Sequence, residues 1–303
     1  MKALGTARVY GERVIAVVVL TFRAEPGVLR RCLDSVVRSG DADRVVVVDN
    51  GPSVGIDDLP AGVDLVTPGD NLGYAGGMNV GLRHALAGGA DAVALLNDDT
   101  VVSPGWLAAL APYLDDTRRT GAVQPKLLLA GDPPRVQSVG VRLRGDGAGI
   151  DIGYGEADTG QYDRAGEIAI FSGGAVLLSR AFLDDVGGFD ERYFLYYEDI
   201  DLALRGAERG WRYCVEPAAV VHHDMSATTS ADPHGRRYWQ ERNRLWCAAR
   251  HGSPVGIARA LALAVARLAK HPGRPQATAI RDGLKGLPAR LAERRHPLAF
   301  PLS

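Results

Sequence analysis

The chain has 303 residues, 46% of them hydrophobic and 23% charged, with a formal net charge of -1. That is an ordinary soluble globular composition, long enough for one large domain or two modest ones. The apolar runs Val14–Leu20 and Val255–Ala269 fall short of the roughly 20 residues needed to span a bilayer, and no signal peptide is recognisable.

The near-neutral sum hides an asymmetry. Residues 251–303 hold nine Lys/Arg against two Asp/Glu, and residues 1–250 hold 26 against 34. An acidic body with a basic tail suggests an anionic surface as the tail's partner. Cys32, Cys214 and Cys247 are far apart with no Cys-x-x-Cys, a usage that fits a reducing cytosol.

In chain order, Val14–Thr21 is a continuous apolar run and predicts a buried strand. Pro26 to Ser39 places Leu29, Cys32, Leu33, Val36 and Val37 at helical spacing, with Cys32 as a small core residue. Val45–Val48 predicts a second strand and Val63–Val66 a short third. Asn71 to Gly77 reads as a Gly-rich loop, and Met78 to Ala87 as a helix. Ala92–Leu96 is the fourth strand. It stops at Asn97-Asp98-Asp99, and Ser103-Pro104 then opens a helix as N-cap and first helical residue. Strands alternating with helices predict an α/β fold around a mostly parallel sheet.

The polar residues gather where the strands end. Thr21 and Arg23 follow the first strand, Asp49 and Asn50 the second, Asn71 and Gly73 the third, and Asn97, Asp98 and Asp99 the fourth. Ligands of open parallel sheets bind in the crevice beyond these ends. Carboxylates stranded beside a buried strand are costly without a partner. A divalent cation shared with a phosphate-bearing substrate is the obvious one, which points to a nucleotide-diphosphate. The segment after the first strand, Thr21 to Pro26, has no glycine, which argues against a nicotinamide or flavin enzyme, and no P-loop motif occurs.

A second informative block starts at Ser172-Gly173-Gly174-Ala175, which leads an apolar strand at Val176–Leu178 and a short helix ending at Gly187-Gly188. Glu198, Asp199 and Asp201 then open a helix that stops at Gly210. First-turn acids are one explanation, since the helix dipole favours them. A general base beside a bound hydroxyl is the other. Ala218–His223 predicts a short strand ending in two histidines. Neighbouring strand residues face opposite ways, so one can point inward as a metal ligand. Arg236 to Arg250 predicts a helix, in which Arg242 could approach an acceptor diphosphate or lie on a solvated basic face. Val255–Ala269 and a second basic helix to about Arg295 follow, either packed on the body or lying on an anionic leaflet.

These motifs resemble the family 2 glycosyltransferases of GT-A fold, and within them the rhamnosyltransferase-like group that acts on polyprenyl-diphosphate-linked sugars in actinobacterial cell-wall linker assembly. The carrying segments are Thr21-Phe22-Arg23, Val48 to Gly51, Asn71 to Asn79, Leu96 to Asp99, Gly187 to Phe194, Tyr197 to Leu202 and His222-His223. The resemblance implies a catalytic domain over 1–250, with a nucleotide-sugar half at about 14–115 and an acceptor half at about 116–250, and a helical extension over 251–303. It implies an inverting transferase that uses a nucleotide-sugar donor, dTDP-rhamnose foremost, a divalent Mg or Mn ion, and a glycan or lipid-linked acceptor.

The implied roles fall on named residues. Thr21, Arg23 and Glu25 would form the first nucleotide-contacting loop, Asp49 would read the base, and Asn71, Gly73 and Asn79 would surround the ribose and diphosphate. Asn97 and Asp98 would contact the donor. Asp99 would bind the metal with His222, or alternatively His223. Asp199 would be the base beside Glu198, with Gly173, Gly174, Asp201 and Arg242 on the acceptor side. Asn97 departs from the family's Asp-x-Asp and adds no charge to the metal site. A UDP-galactofuranose or other hexosyl transferase is the alternative. A nucleotidyltransferase would need a Gly-rich basic first loop that is missing, and a non-catalytic binding module would need no Glu198-Asp199 motif.

Overall fold

A computed structural model describes residues 13–23, 25–51, 54–55, 59–224, 233–270, 272–294 and 300–302. The expected end of the last helix at Arg295 lies outside them. The strands are β1 (Ile15–Thr21), β2 (Arg44–Asp49), β3 (Val63–Val66), β4 (Ala92–Asn97), β5 (Thr100–Val102), β6 (Thr120–Leu129), β7 (Arg135–Ser138), β8 (Val141–Leu143), β9 (Gly149–Asp151), β10 (Gly166–Ile168), β11 (Ala175–Ser179) and β12 (Arg212–His223). The helices are α1 (Pro26–Ser39), α2 (Gly73–Ala87), α3 (Trp106–Leu110), α4 (Arg180–Val186), α5 (Glu198–Glu208), α6 (Pro233–His251), α7 (Pro254–Lys270) and α8 (Arg274–Glu293).

The main sheet runs β10-β12-β6-β11-β4-β1-β2-β3, with β5 on β12 and β7 on β6. β3, β2, β1 and β4 are mutually parallel, β11 is antiparallel, and β6 and β12 are parallel to each other. The mostly parallel sheet with flanking helices expected of a GT-A fold is present. The alternation of strand side chains explains why these strands are apolar throughout. Ala16, Val18 and Leu20 face a layer built by α2, α4 and α5. Ile15, Val17 and Val19 face a layer built by α1 and α3.

Two expectations change. Gly73 to Gly77 form the first turns of α2 and not a loop. α2 lies so close to the sheet that a Cβ at Gly77 would sit 2.5 Å from Leu20, and one at Gly81 2.3 Å from Val18. The glycines therefore serve helix-to-sheet packing. Ser103-Pro104 does not cap a helix: α3 starts at Trp106 behind Gly105, whose φ of 74° favours glycine, and Thr100–Val102 forms β5.

The helices beyond residue 250 are tied into the body by buried charge. Asp190 and Asp201 are both fully buried. Asp201 Oδ2 accepts from Arg205 Nε at 2.8 Å, and its Oδ1 lies 3.0 Å from Arg250 Nη1 and 2.9 Å from His251 Nε2. Asp190 meets Arg290 of α8 at 2.9 Å, and Glu293 of α8 meets Arg192 at 2.9 Å. Arg290 and Arg267, counted in the basic tail, are thus internal ties, Arg267 to Glu241 at 2.6 Å. Burial alone would raise the Asp201 pKa, but Arg205, the His251 hydrogen bond and Arg250 outweigh it and hold the carboxyl well below its ordinary range.

Removing that charge leaves buried cations uncompensated, so Asp201→Asn should cost about 3–5 kcal/mol in urea unfolding. A folded pKa held below the unfolded one gives stability that is complete above about pH 4 and lost as pH falls. The wild type should therefore lose stability on acidification more steeply than Asp201→Asn, and parallel acid profiles would contradict this role.

Candidate active site

The strand ends converge as expected, and hydrogen bonds fix their order. Asn50 N–H donates to the Thr21 carbonyl at 2.8 Å, joining the ends of β1 and β2. The buried Asn50 side chain accepts from Leu72 N–H at 2.9 Å and donates to Gly73 O at 2.9 Å and Asn71 Oδ1 at 3.0 Å. Asn71 Oδ1 also accepts from Gly73 N–H at 2.9 Å. Asn50, a strand-end polar residue with no role in the expected set, is the clamp that shapes this loop. Asp49 is buried, and its carboxylate accepts from Gly51 N–H at 3.3 Å and Val54 N–H at 2.9 Å, so it organises its own loop. Arg23 is exposed with φ of 52°, and Glu25 is an exposed residue at the N-terminus of α1 without a side-chain cap bond.

At the end of β4, Asp98 is half-buried and faces the Thr21 hydroxyl. Burial pushes its carboxyl up to about 6, eased by Thr21 and reinforced by Asp99. Asp99 Oδ1 lies 2.8 Å from His223 Nε2. Asn97 Nδ2 is 3.4 Å from the same nitrogen. His223, the alternative metal ligand, is therefore the histidine that meets Asp99. His222 points to the other face of β12, as strand alternation requires.

A divalent cation can be tested against this pair. Two groups presenting a lone pair and a carboxylate 2.8 Å apart need a proton or a cation between them, and neighbouring ligands on a small divalent ion lie about 3 Å apart. Among the described residues no group of three or more His, Cys, Asp or Glu could hold a metal. Asp99 and His223 would fit a cation that takes its remaining ligands from outside the protein, and do not fit a closed protein-only site.

Gly173 and Gly174 connect this region to α5. The Gly174 carbonyl accepts from Asn97 N–H at 3.3 Å. Gly173 N–H donates to Asp199 Oδ2 at 2.8 Å, and its carbonyl accepts from the Tyr74 hydroxyl. A Cβ at Gly173 would crowd Asp199 and Tyr74 at 3.2 Å. Asp199 Oδ1 accepts from Ile200 N–H at 2.8 Å. Burial raises the Asp199 pKa against those backbone hydrogen bonds. Burial, then the charge of Asp199, raises Glu198 well above its ordinary value, and its Oε2 finds no hydrogen-bond partner among the described residues. Burial thus disfavours the charge of both acids, and the two backbone N–H groups favour it at Asp199.

Three expected site residues are structural instead. Asn79 is buried and clamps α2 to the 189–191 segment, donating to Phe189 O at 2.9 Å and Glu191 Oε1 at 3.0 Å while accepting from Phe189 N–H at 2.8 Å. Asp201 is consumed by the buried ion network. Arg242 is buried, donates to the carbonyls of Arg192 at 2.7 Å and Tyr193 at 3.0 Å, and lies over the rings of Trp246 and Trp239.

Two further residues reach the site without any sequence signal. Gln137 on β7 places Oε1 2.8 Å from His223 Nδ1. Asp151 on β9 is near enough to feel Asp199 and His223; burial pushes it up to about 6, with Ser138 and His223 opposing and Asp199 adding. Both come from short strands of the 116–170 stretch, where no motif marks them.

The comparisons agree with this architecture. A profile of the family described as "Glycosyltransferase like family 2" matches residues 12–247. The chain is 29% identical over 248 residues to an N-acetylglucosaminyl-diphospho-decaprenol L-rhamnosyltransferase of Mycobacterium tuberculosis, covering 73% of this chain and 79% of that one. It is 26% identical over 181 residues to a dTDP-rhamnosyl transferase RfbF of Shigella flexneri, covering 59% of this chain and 56% of that one. The structure of GalNAc-T7 with UDP, GalNAc and Mn2+ shares the fold at a TM-score of 0.63 and 14% identity, covering 95% of this chain and 59% of that chain.

Asn50→Ala would release Leu72, Gly73 and Asn71 together. The expected outcome is about tenfold weaker nucleoside-diphosphate binding by calorimetry, the scale of one or two net hydrogen bonds. Unchanged affinity would show that the loop does not need the clamp.

Proposed function

The chain belongs to the family 2-like glycosyltransferases, and from that premise we propose that it is an inverting transferase moving L-rhamnose from dTDP-rhamnose to a hydroxyl of a polyprenyl-diphosphate-linked glycan. The observation that carries the reading is the Gly173-Gly174 bridge. One residue of it holds the Asp199 carboxylate, and the next holds the backbone of Asn97 beside Asp98 and Asp99. A donor bound at the strand ends and a hydroxyl at Asp199 would therefore meet within one site.

In this mechanism Asp199 takes the proton of the acceptor hydroxyl as its oxygen attacks the anomeric carbon from the face opposite the diphosphate. A single displacement inverts the configuration, and no second carboxylate forms a covalent intermediate. Burial and the neighbouring Asp199 charge push Glu198 toward its neutral form, which would lessen the negative charge beside the base. Asp99 and His223 would hold the divalent cation, which when bound neutralises charge on the departing nucleotide-diphosphate. The rhamnose assignment rests on the two relatives named for rhamnosyl transfer. UDP-galactofuranose or another hexosyl donor is the alternative, and a donor panel with Mg2+ or Mn2+, followed by donor hydrolysis, separates them.

Asp199→Asn should lower kcat by at least about a hundredfold while dTDP binding stays within about twofold. The wild-type rate should fall with acid, because below its raised pKa Asp199 already carries a proton. That acid limb should lie above the ordinary aspartate value of about 3.9 and be missing from the residual activity of Asp199→Asn. Wild-type turnover by the variant would overturn the assignment.

A lipid-linked acceptor favours contact with an anionic leaflet. Among the described residues no helix is long and apolar enough to cross a membrane. α7 instead exposes Val255 (59%) and Val265 (65%), with Ala258, Ala262 and Ala269 on the same face and Arg259 and Lys270 beside them. Leu284 and Leu291 of α8 are also exposed. Apolar residues flanked by cations suit an interfacial helix. The protein should co-sediment with phosphatidylglycerol vesicles and not with phosphatidylcholine ones, and the double substitution Val255→Glu, Val265→Glu should weaken binding at least about fivefold. Equal binding by both proteins, or to both vesicles, would sink the idea.

A further inference from the structure

We propose that Gln137 is a positioning residue that fixes the His223 ring so that Nε2, and not Nδ1, presents its lone pair beside Asp99 to a divalent cation. The inference rests on the reading of Asp99 and His223 as the cation-binding pair.

Three observations carry it. An amide oxygen is only an acceptor, so Gln137 Oε1 at 2.8 Å from Nδ1 requires the proton on Nδ1. The other ring nitrogen is then the one left to face Asp99 Oδ1 at 2.8 Å, with Asn97 Nδ2 at 3.4 Å. The backbone is arranged for this aim: Leu127 pairs with Ser138 but Leu128 pairs with Val136, so Gln137 is the extra residue of a β-bulge. Bulges turn a side chain out of the regular alternation and are frequent beside active sites. β12 has its own irregularity, pairing Glu216 with Pro125 and Val220 with Lys126, before it delivers His223. Gln137 and His223 thus meet through two departures from regular pairing, and both side chains are buried.

A ligating imidazole is oriented by what its other nitrogen donates to, and loss of that partner typically weakens metal binding about 10- to 100-fold. Gln137 is neutral, so it orients the ring without adding a further carboxylate to an acidic site.

The first test uses the wild-type protein with 15N-labelled histidine, Mg2+ and dTDP, with UDP in parallel. Long-range 1H–15N spectra should show Nδ1 protonated and Nε2 unprotonated for His223. A protonated Nε2 with a bare Nδ1 would mean the Gln137 amide is turned the other way and would overturn the proposal. The second test measures Mn2+ binding with dTDP or UDP by electron paramagnetic resonance. Gln137→Leu should bind Mn2+ at least about tenfold more weakly, and Gln137→Glu, which keeps the acceptor, should stay within about threefold of wild type. Wild-type affinity in Gln137→Leu, or equal losses in both variants, overturns the role of Gln137 while leaving the metal pair in place. Absence of Mn2+ binding by the wild-type protein with either nucleotide overturns the pair and this inference together.

Discussion

The segment between Asp190 and Asp201 is held in a costly shape, and the presentation of Asp199 depends on what holds it. Phe194, Tyr196 and Tyr197 have φ of 67°, 67° and 73°, values that L side chains avoid at a cost of about 1–3 kcal/mol each. The compensation comes from α6. The buried Asn243 amide donates to the carbonyls of Tyr193, Leu195 and Tyr196 at 2.7–2.9 Å, and Arg242 adds those of Arg192 and Tyr193. At either end the segment is anchored by Asp190 and Asp201 in the arginine network. The bend at Tyr197 then starts α5 with the Asp199 carboxylate at Gly173 and the Asp201 carboxylate in the ion network.

The same segment is also tied to the start of α2. The Phe194 carbonyl accepts from Ala75 N–H at 3.2 Å, at the start of α2. Gly73 must be glycine there: its φ is 68°, and a Cβ would sit 2.3 Å from that carbonyl oxygen. Asn79 makes a second tie to Phe189. The loop that Asn50 shapes and the Asp199 carboxylate that Gly173 holds are therefore positioned by one continuous set of contacts. α6, far along the chain from either, touches this set through Trp239, which stacks on Phe194.

How much of this is legible in the sequence depends on which residues carry a local pattern. β1, β2, β3, β4 and α1 are written in apolar runs and helical spacing, and their observed bounds differ from expectation by a residue or so at the ends. Asp99 stands out because charge at the end of a buried run needs a reason, whereas Asp199, one of three acids opening a helix, is singled out only by the family resemblance. The glycines of α2 mislead, because a glycine that permits close packing and one that permits a turn look alike in sequence. Asp201 and Arg242 mislead for a related reason: a buried ion pair and an exposed functional charge are the same letters, and only the long-range partners Arg205, Arg250, Tyr193 and Trp246 separate them. Gln137 and Asp151 are silent because their relevance arises from a bulge and a hairpin that pair residues far apart in the chain.

The electrostatics of the site give the cation its strongest physical argument. Asp98, Asp99, Asp151, Glu198 and Asp199 crowd one region, and the pKa values of Asp98, Asp151, Glu198 and Asp199 are all pushed upward, burial being the main cause. Arg23 at the end of β1 is exposed and lies over the Phe22 ring. A diphosphate entering such a cleft without a compensating charge would meet like charges at close range in a partly desolvated setting, where repulsion is poorly screened. A cation at Asp99 and His223 would reverse that balance for the diphosphate and for Asp98 at once. On the proposed reading, the same acidic crowding that looks unfavourable for an anionic donor would make the cation and the donor a joint requirement, with Asn97 in place of a third acid keeping the protein's share of charge at the cation small.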